Sequence, residues 1–155
     1  MSKIIIHGGF FSESSTNIET KIAKQQALLR IVKDSYAYLQ NHSALETVVY
    51  AVSQLEDDEL FNAGIGSQIQ SDGKIRMSAS LMDGESQKMS GVINIEEVKN
   101  PIQVAQVLMQ VDDRILGGSG ATNFARKHGF ESFSTEIPQR RAEYEAKLAS
   151  LGTGT

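Results

Sequence analysis

Between Leu60 and Gly66 the chain reads Leu-Phe-Asn-Ala-Gly-Ile-Gly, directly after the acidic run Glu56-Asp57-Asp58-Glu59. Two glycines this close to an asparagine predict a backbone bent tightly around something. Glycine admits positive φ and close approach, and an asparagine amide offers both donors and an acceptor. The segment is expected to hold a site, and its neighbours along the chain are candidate helices and strands.

Those neighbours can be read from periodicity. Lys3 to His7 is a short β-branched run stopped by Gly8-Gly9, which predicts a buried strand entering a turn. From about Asn17 to Asn41, Ile18, Ile22, Leu29, Val32, Tyr36 and Leu39 recur at intervals of three, four and seven, predicting one buried face of a long helix. Ser43-Ala44-Leu45-Glu46 fits a capping box that starts a second helix, about Ala44 to Glu56, with Leu45, Val48, Val49, Val52 and Leu55 as its stripe.

After the glycine loop the period becomes two. Ile75, Met77, Ala79 and Leu81 alternate with Arg76, Ser78 and Ser80, between turns at Asp72-Gly73 and Asp83-Gly84, and Met89 to Ile95 returns. Three consecutive antiparallel strands are expected. Asn100-Pro101 predicts a helix start with asparagine at the N-cap and proline at the first helical position. Arg114 to Gly117 reads as a brief strand, and Ala121 to His128 as a short helix closed by Gly129. Thr135 to about Leu148 reads as a last helix with Arg141–Glu145 and Glu143–Lys147 pairs. Strands in the middle with helices at both ends give an α+β class.

The 155 residues make a single domain, 1–155, with 149–155 as a loose Gly/Thr tail. A net charge of −4 and only short basic clusters argue against a nucleic-acid partner. With no cysteine there is no thiol nucleophile or disulfide framework. The first apolar run, Ile4 to Ile6, is too short for a signal peptide or membrane span, so no membrane and a cytoplasmic location are expected. The adjacent carboxylates Asp57-Asp58, Glu96-Glu97 and Asp112-Asp113 do not converge on one face, which argues against a glycosidase pair.

With Ile6-His7-Gly8-Gly9 at the start, the glycine loop, Leu81-Met82-Asp83-Gly84 and Gly120-Ala121-Thr122-Asn123-Phe124-Ala125 in this order, the chain resembles the plant-type (type III) L-asparaginases and isoaspartyl peptidases, which are N-terminal-nucleophile hydrolases. It looks like the α subunit that such precursors release by cutting themselves. The resemblance implies a four-layer αββα sandwich completed by a second chain, the β subunit, in an (αβ)2 heterotetramer. It implies hydrolysis of the side-chain amide of asparagine or of β-aspartyl dipeptides, with a small amino acid or dipeptide as substrate and no cofactor for catalysis.

The same resemblance assigns residues. Gly154-Thr155 is the scissile pair, and Thr155, or the residue after it, is the nucleophile whose own freed α-amine acts as base. Asn62 would orient the hydroxyl or stabilise charge in the oxyanion region. The turn His7, Gly8 and Gly9 would lie near the scissile bond, where Phe10-Phe11 replaces the small pair usual in the family. A structural sodium ion would sit on the carbonyls of Leu55, Glu56, Asp58, Phe61, Ala63 and Ile65. Ser78 stands where the family commonly has an aspartate. Alternatives are a glycosylasparaginase-like or taspase-like hydrolase, or a noncatalytic protein binding a nucleotide through Gly117 to Gly120.

Overall fold

The period-two segment forms a strand because Met77 and Leu81 are buried on one side while Ser78, Ser80 and Met82 face away. The computed structural model, which describes residues 2–9, 18–111 and 114–152, pairs this strand, β1 (Met77–Asp83), antiparallel with β2 (Lys88–Ile95). Leu81 lies opposite Ser90, Ala79 opposite Val92 and Met82 opposite Met89, with a bulge between Met77 and Ala79. The third strand of the sheet is β3 (Ile115–Gly117), which pairs parallel with β2 in the order β1-β2-β3.

This corrects the expectation of three consecutive antiparallel strands. The Asp72-Gly73 turn is present, with Gly73 N–H donating to Gln70 O at 2.9 Å and Gln70 N–H to Lys74 O at 2.8 Å. The residues before it form no strand, so the turn serves a loop and the sheet recruits its third member from beyond a helix.

That helix, α3 (Pro101–Leu108), and α4 (Gly118–Lys127) cover one face of the sheet. Val92, Ile95, Val104, Leu108, Ala121 and Ala125 are fully buried there, and Leu81 meets Ile102 and Ala105 beside Val49 of α2 (Ala44–Glu56). The other sheet face exposes Met82, Met89, Ile93 and Ile115, at 67, 47, 49 and 51% of their full area. A sheet clothed on one side by helices, with apolar residues on the other, is α+β.

The capping box of α2 forms as read. Glu46 N–H donates to Ser43 Oγ at 3.2 Å, and Ser43 N–H donates to the Glu46 carboxylate at 2.9 Å. Val48 is nevertheless 44% exposed, and Thr47 is buried in its place, its hydroxyl donating to Ser43 O at 2.8 Å.

Helix α1 (Ile18–Leu39) overturns the stripe read for it. Its buried residues are Lys24, Ala27, Ile31 and Ser35, while Ile18, Ile22, Leu29 and Tyr36 lie on the opposite, exposed side. The helix has two apolar faces, and periodicity cannot rank them. What selects the buried one is Phe61 of the glycine loop, which packs on Ala27 and Ile31 with Ile6 and Leu28 around it.

Lys3 to His7 forms no strand, and Ile5 is 94% exposed. A strand needs a neighbour to satisfy its amides, and among the described residues none flanks this segment. The last helix, α5 (Pro138–Gly152), begins three residues later than read, with proline at its first position, where the missing N–H costs nothing. Its charged pairs also differ: Arg141 reaches back to Glu136 at 2.5 and 2.9 Å, and Glu143 meets Arg140 at 2.8 Å.

Candidate active site

The loop after α2 closes on itself through backbone bonds. Ile65 N–H donates to Glu56 O at 2.7 Å, Phe61 N–H to Asp58 O at 3.1 Å and Ser67 N–H to Gly64 O at 3.2 Å. Both glycines are required by position. At Gly64 (φ +51°) a Cβ would lie 2.2 Å from Glu56 O, and at Gly66 (φ +104°) it would lie 2.7 and 2.8 Å from the carbonyls of Glu59 and Phe61. The sequence reading of a tightly bent backbone holds, and the bend turns carbonyl oxygens inward.

Asn62 sits at the apex, exposed. Its Oδ1 accepts a hydrogen bond from Gln68 N–H at 2.9 Å, which fixes which end of the amide is which. With the oxygen taken by a backbone N–H, the Nδ2 end of the amide is the one that can act as a donor. Asp58 anchors the loop to α1: Oδ1 accepts from Leu60 N–H at 3.1 Å and Oδ2 pairs with Arg30 at 3.0 Å.

The His7-Gly8-Gly9 turn lies against this loop. A Cβ at Gly8 would be 2.8 Å from the Phe61 ring and 2.9 Å from a Leu28 methyl, so the chain passes closely against both side chains here. His7 Nδ1 accepts from Gly9 N–H at 3.2 Å. His7, Gly8, Phe61 and Asn62, distant in sequence, are thus neighbouring parts of one region. Gly154 and Thr155 lie outside the described residues, as does Phe10-Phe11.

Other motifs resolve into local structure. Asp83 closes a turn, accepting from Glu85 N–H and Ser86 N–H, both at 3.2 Å, and the Ser86 hydroxyl holds its carboxyl below the usual carboxylate range. Ser78 Oγ accepts from Asn94 N–H at 3.1 Å. Gly118 to Gly120 form the first turn of α4 itself, with Gly117 at its N-cap.

Four contributions to the loop and its surroundings were missed in the sequence. Asn100 occupies the N-cap of α3 yet makes no capping bond with its side chain, which donates instead to Asp57 Oδ1 at 3.0 Å. The cap is supplied by Glu56, whose Oε1 accepts from Ile102 N–H at 3.1 Å. Thr135 O accepts from Gly66 N–H at 3.3 Å, and the buried Arg140 donates from Nε to Gly66 O at 2.8 Å. No local pattern marks any of them, since each partner is tens of residues away.

Glu56 is 3% exposed and its Oε2 has no hydrogen-bond partner among the described residues; burial pushes the carboxyl up to about 8. The folded chain therefore binds this proton more tightly than the unfolded chain does. Its contribution is complete below about pH 4.5 and is lost as the pH rises through about 8. Glu56→Gln keeps an acceptor for Ile102 without the titrating proton. We expect it to flatten the fall in urea-unfolding free energy between pH 5 and 9, a fall on the order of a few kcal/mol in the parent. An unchanged slope in the variant would remove Glu56 as its source.

The sequence matches the family described as Asparaginase over residues 1–150. It is 49% identical over 127 residues to an isoaspartyl peptidase/L-asparaginase of Synechocystis sp., covering 81% of this chain and 38% of that protein. To an isoaspartyl peptidase/L-asparaginase of Nostoc sp. it is 43% identical, covering 92% of this chain and 45% of the relative. To a plant-type L-asparaginase of Pyrococcus furiosus it is 39% identical, covering 94% and 47%. The chain thus spans less than half the length of these relatives. No helix among the described residues is long and apolar enough to cross a membrane.

Proposed function

Because this chain belongs to the asparaginase family, we propose that it is the α portion of an amidohydrolase that cleaves the side-chain amide of L-asparagine or β-aspartyl dipeptides through an N-terminal threonine. The observation that carries the reading is the Asn62 amide, whose Oδ1 is held by Gln68 N–H and which follows Phe61, the ring against Gly8. A donor fixed before substrate arrives is what a developing oxyanion needs, because no reorganisation is then required during the reaction.

In this reading Gly154-Thr155 is cut, the freed amine of Thr155 takes the proton of its own hydroxyl, and the hydroxyl oxygen attacks the amide carbonyl. Ammonia or an amino acid leaves, and water releases aspartate from the acyl-enzyme. The companion β portion supports itself on two facts: the relatives are more than twice the length of the matched stretch, and the sheet leaves Met82, Met89, Ile93 and Ile115 bare. Pairing of two such αβ units into a heterotetramer belongs to the same proposal.

A sodium ion suits the loop in the character of its donors. Carbonyls of Glu56, Glu59 and Phe61 turn toward Gly64 and Gly66, and no group of three or more His, Cys, Asp or Glu side chains able to hold a metal occurs among the described residues. Leu55, Glu56, Asp58, Phe61, Ala63 and Ile65 would hold the ion through main-chain oxygens, which suit a hard cation. Bound there, it would fix the loop's shape and take no part in the chemistry.

The test uses the protein together with the sequence that follows this chain. Ammonia release from asparagine, aspartate release from β-aspartyl dipeptides and hydrolysis of glycosylated asparagine are compared. Activity on either of the first two is expected, and activity on the third alone would replace the substrate assignment. Asn62→Asp keeps the acceptor for Gln68 N–H and removes the donors, so we expect kcat to fall about 10²-fold or more with folding retained. An Asn62→Asp enzyme with parental kcat would withdraw the role of this side chain.

A further inference from the structure

Arg140, like Thr135, is a partner that the glycine loop takes from far along the chain. Its side chain is 5% exposed, which is uncommon for a guanidinium unless it is paired. Nε donates to Gly66 O at 2.8 Å, and Nη1 donates to Glu143 at 2.8 Å, so a neighbouring carboxylate balances the charge while the neutral contact goes to the loop. The other polar group of the same residue, Gly66 N–H, is taken by Thr135 O at 3.3 Å. The start of α5 and the residues leading into it therefore grip both sides of one glycine.

That grip is one peptide away from the Asn62 contact. The carbonyl of Gly66 belongs to the peptide plane 66–67, and the next plane, 67–68, carries the Gln68 N–H that holds Asn62 Oδ1 at 2.9 Å. Rotation of the first plane swings the second, and with it the rotamer of the asparagine. Gly66 itself, at φ +104°, offers little intrinsic resistance to such rotation. The restraint on that plane must come from its hydrogen bonds, Arg140 on the Gly66 carbonyl at one end and Ser67 N–H to Gly64 O at 3.2 Å at the other.

We propose that Arg140 is a positioning residue for Asn62: by clamping the Gly66 carbonyl it aims the Gln68 amide, which in turn points the Asn62 donors at the reacting carbonyl. This rests on the reading of Asn62 given above. It makes α5, the element that leads toward Gly154-Thr155, part of the support of the site. Because α5 is held to the loop by these polar bonds and by Tyr144 OH, which donates to Ser71 O at 3.4 Å, the support is sensitive to single side chains.

The experiment is a double-mutant cycle in the complete, processed protein with Arg140→Gln and Asn62→Asp, alongside Arg140→Lys, which keeps the charge without the planar fork. Arg140→Gln is expected to lower kcat about 10-fold with KM changed less than about 2-fold, since an aligned donor matters more to the transition state than to binding. Arg140→Lys is expected to retain more of kcat than Arg140→Gln. In the Asn62→Asp background, Arg140→Gln should cost no further kcat. A merely structural arginine would instead lower the unfolding temperature and leave kcat per folded molecule unchanged, or cost the same factor in both backgrounds, and either result overturns the proposal. If the parent hydrolyses none of the amides, the functional reading fails, and the clamp is then judged by the side-chain amide NMR signals of Asn62. Signals that move in Arg140→Gln sustain the clamp, and unmoved signals dismiss it.

Discussion

Gly64→Ala is expected to lose about 2 to 5 kcal/mol of stability and to take the candidate site with it. Two costs combine at this position. The left-handed backbone (φ +51°) disfavours any Cβ by roughly 1 to 2 kcal/mol. The new methyl would also lie 2.2 Å from the Glu56 carbonyl oxygen, a backbone atom that cannot swing aside, and overpacking of this kind costs about 1 to 3 kcal/mol more. Relief requires moving the end of α2, which breaks the Ile65 to Glu56 bond and shifts the Glu56 cap of α3.

Two other glycines calibrate the effect. Gly129 has φ +85° with nothing within 4 Å of a built Cβ, so its alanine variant should show the backbone strain alone. Gly120 stands within α4 with open space and no positive φ, so alanine there should be neutral or stabilising by up to about 1 kcal/mol. Unfolding midpoints in urea for the three variants should rank 120, 129, 64 from most to least stable. If Gly64→Ala proves no worse than Gly129→Ala, the tight approach of the loop to Glu56 is wrong.

Thr155→Ala, in the protein carrying the sequence beyond this chain, is expected to leave one uncut polypeptide with hydrolysis reduced by at least about 10⁴-fold. The proposed mechanism gives the threonine two tasks, attack on the carbonyl of Gly154 and later attack on substrate, and both need its oxygen. Thr155→Ser keeps that oxygen and should retain cleavage and turnover at lower rate. On that mechanism the base would be an α-amine of ordinary pKa about 7.7 to 8, so the rate should climb as pH rises through that range and the amine loses its proton. Intact mass locates the cut. A Thr155→Ala protein that still splits after Gly154 and releases ammonia from asparagine would end the assignment, and a cut one residue later would move the nucleophile to the next position.

Much of the architecture was legible locally. The capping box at Ser43, Pro101 at the start of α3, strands at Met77–Asp83 and Lys88–Ile95 and the brief Ile115–Gly117 strand all depend on contacts within a few residues or on a simple period. The glycine loop was legible for the same reason, since Gly64 and Gly66 state a backbone requirement on their own. The misreadings share the opposite character. Which of two apolar faces α1 buries was settled by Phe61, the parallel partner of β2 arrived from beyond α3, and Lys3–His7 lacks a described neighbour to make it a strand.

The candidate site divides along the same line. Sequence alone determined that residues 60–66 turn sharply beside an asparagine, because φ preferences and hydrogen-bonding capacity belong to individual residues. Only the tertiary structure decided how that asparagine is oriented and what braces it: Gln68 on its oxygen, Thr135 and Arg140 on Gly66, and Glu56 reaching from α2 to cap α3. A hydrogen bond between residues tens of positions apart leaves no periodicity to read. It exists because packing brings two groups together that water would otherwise have satisfied separately.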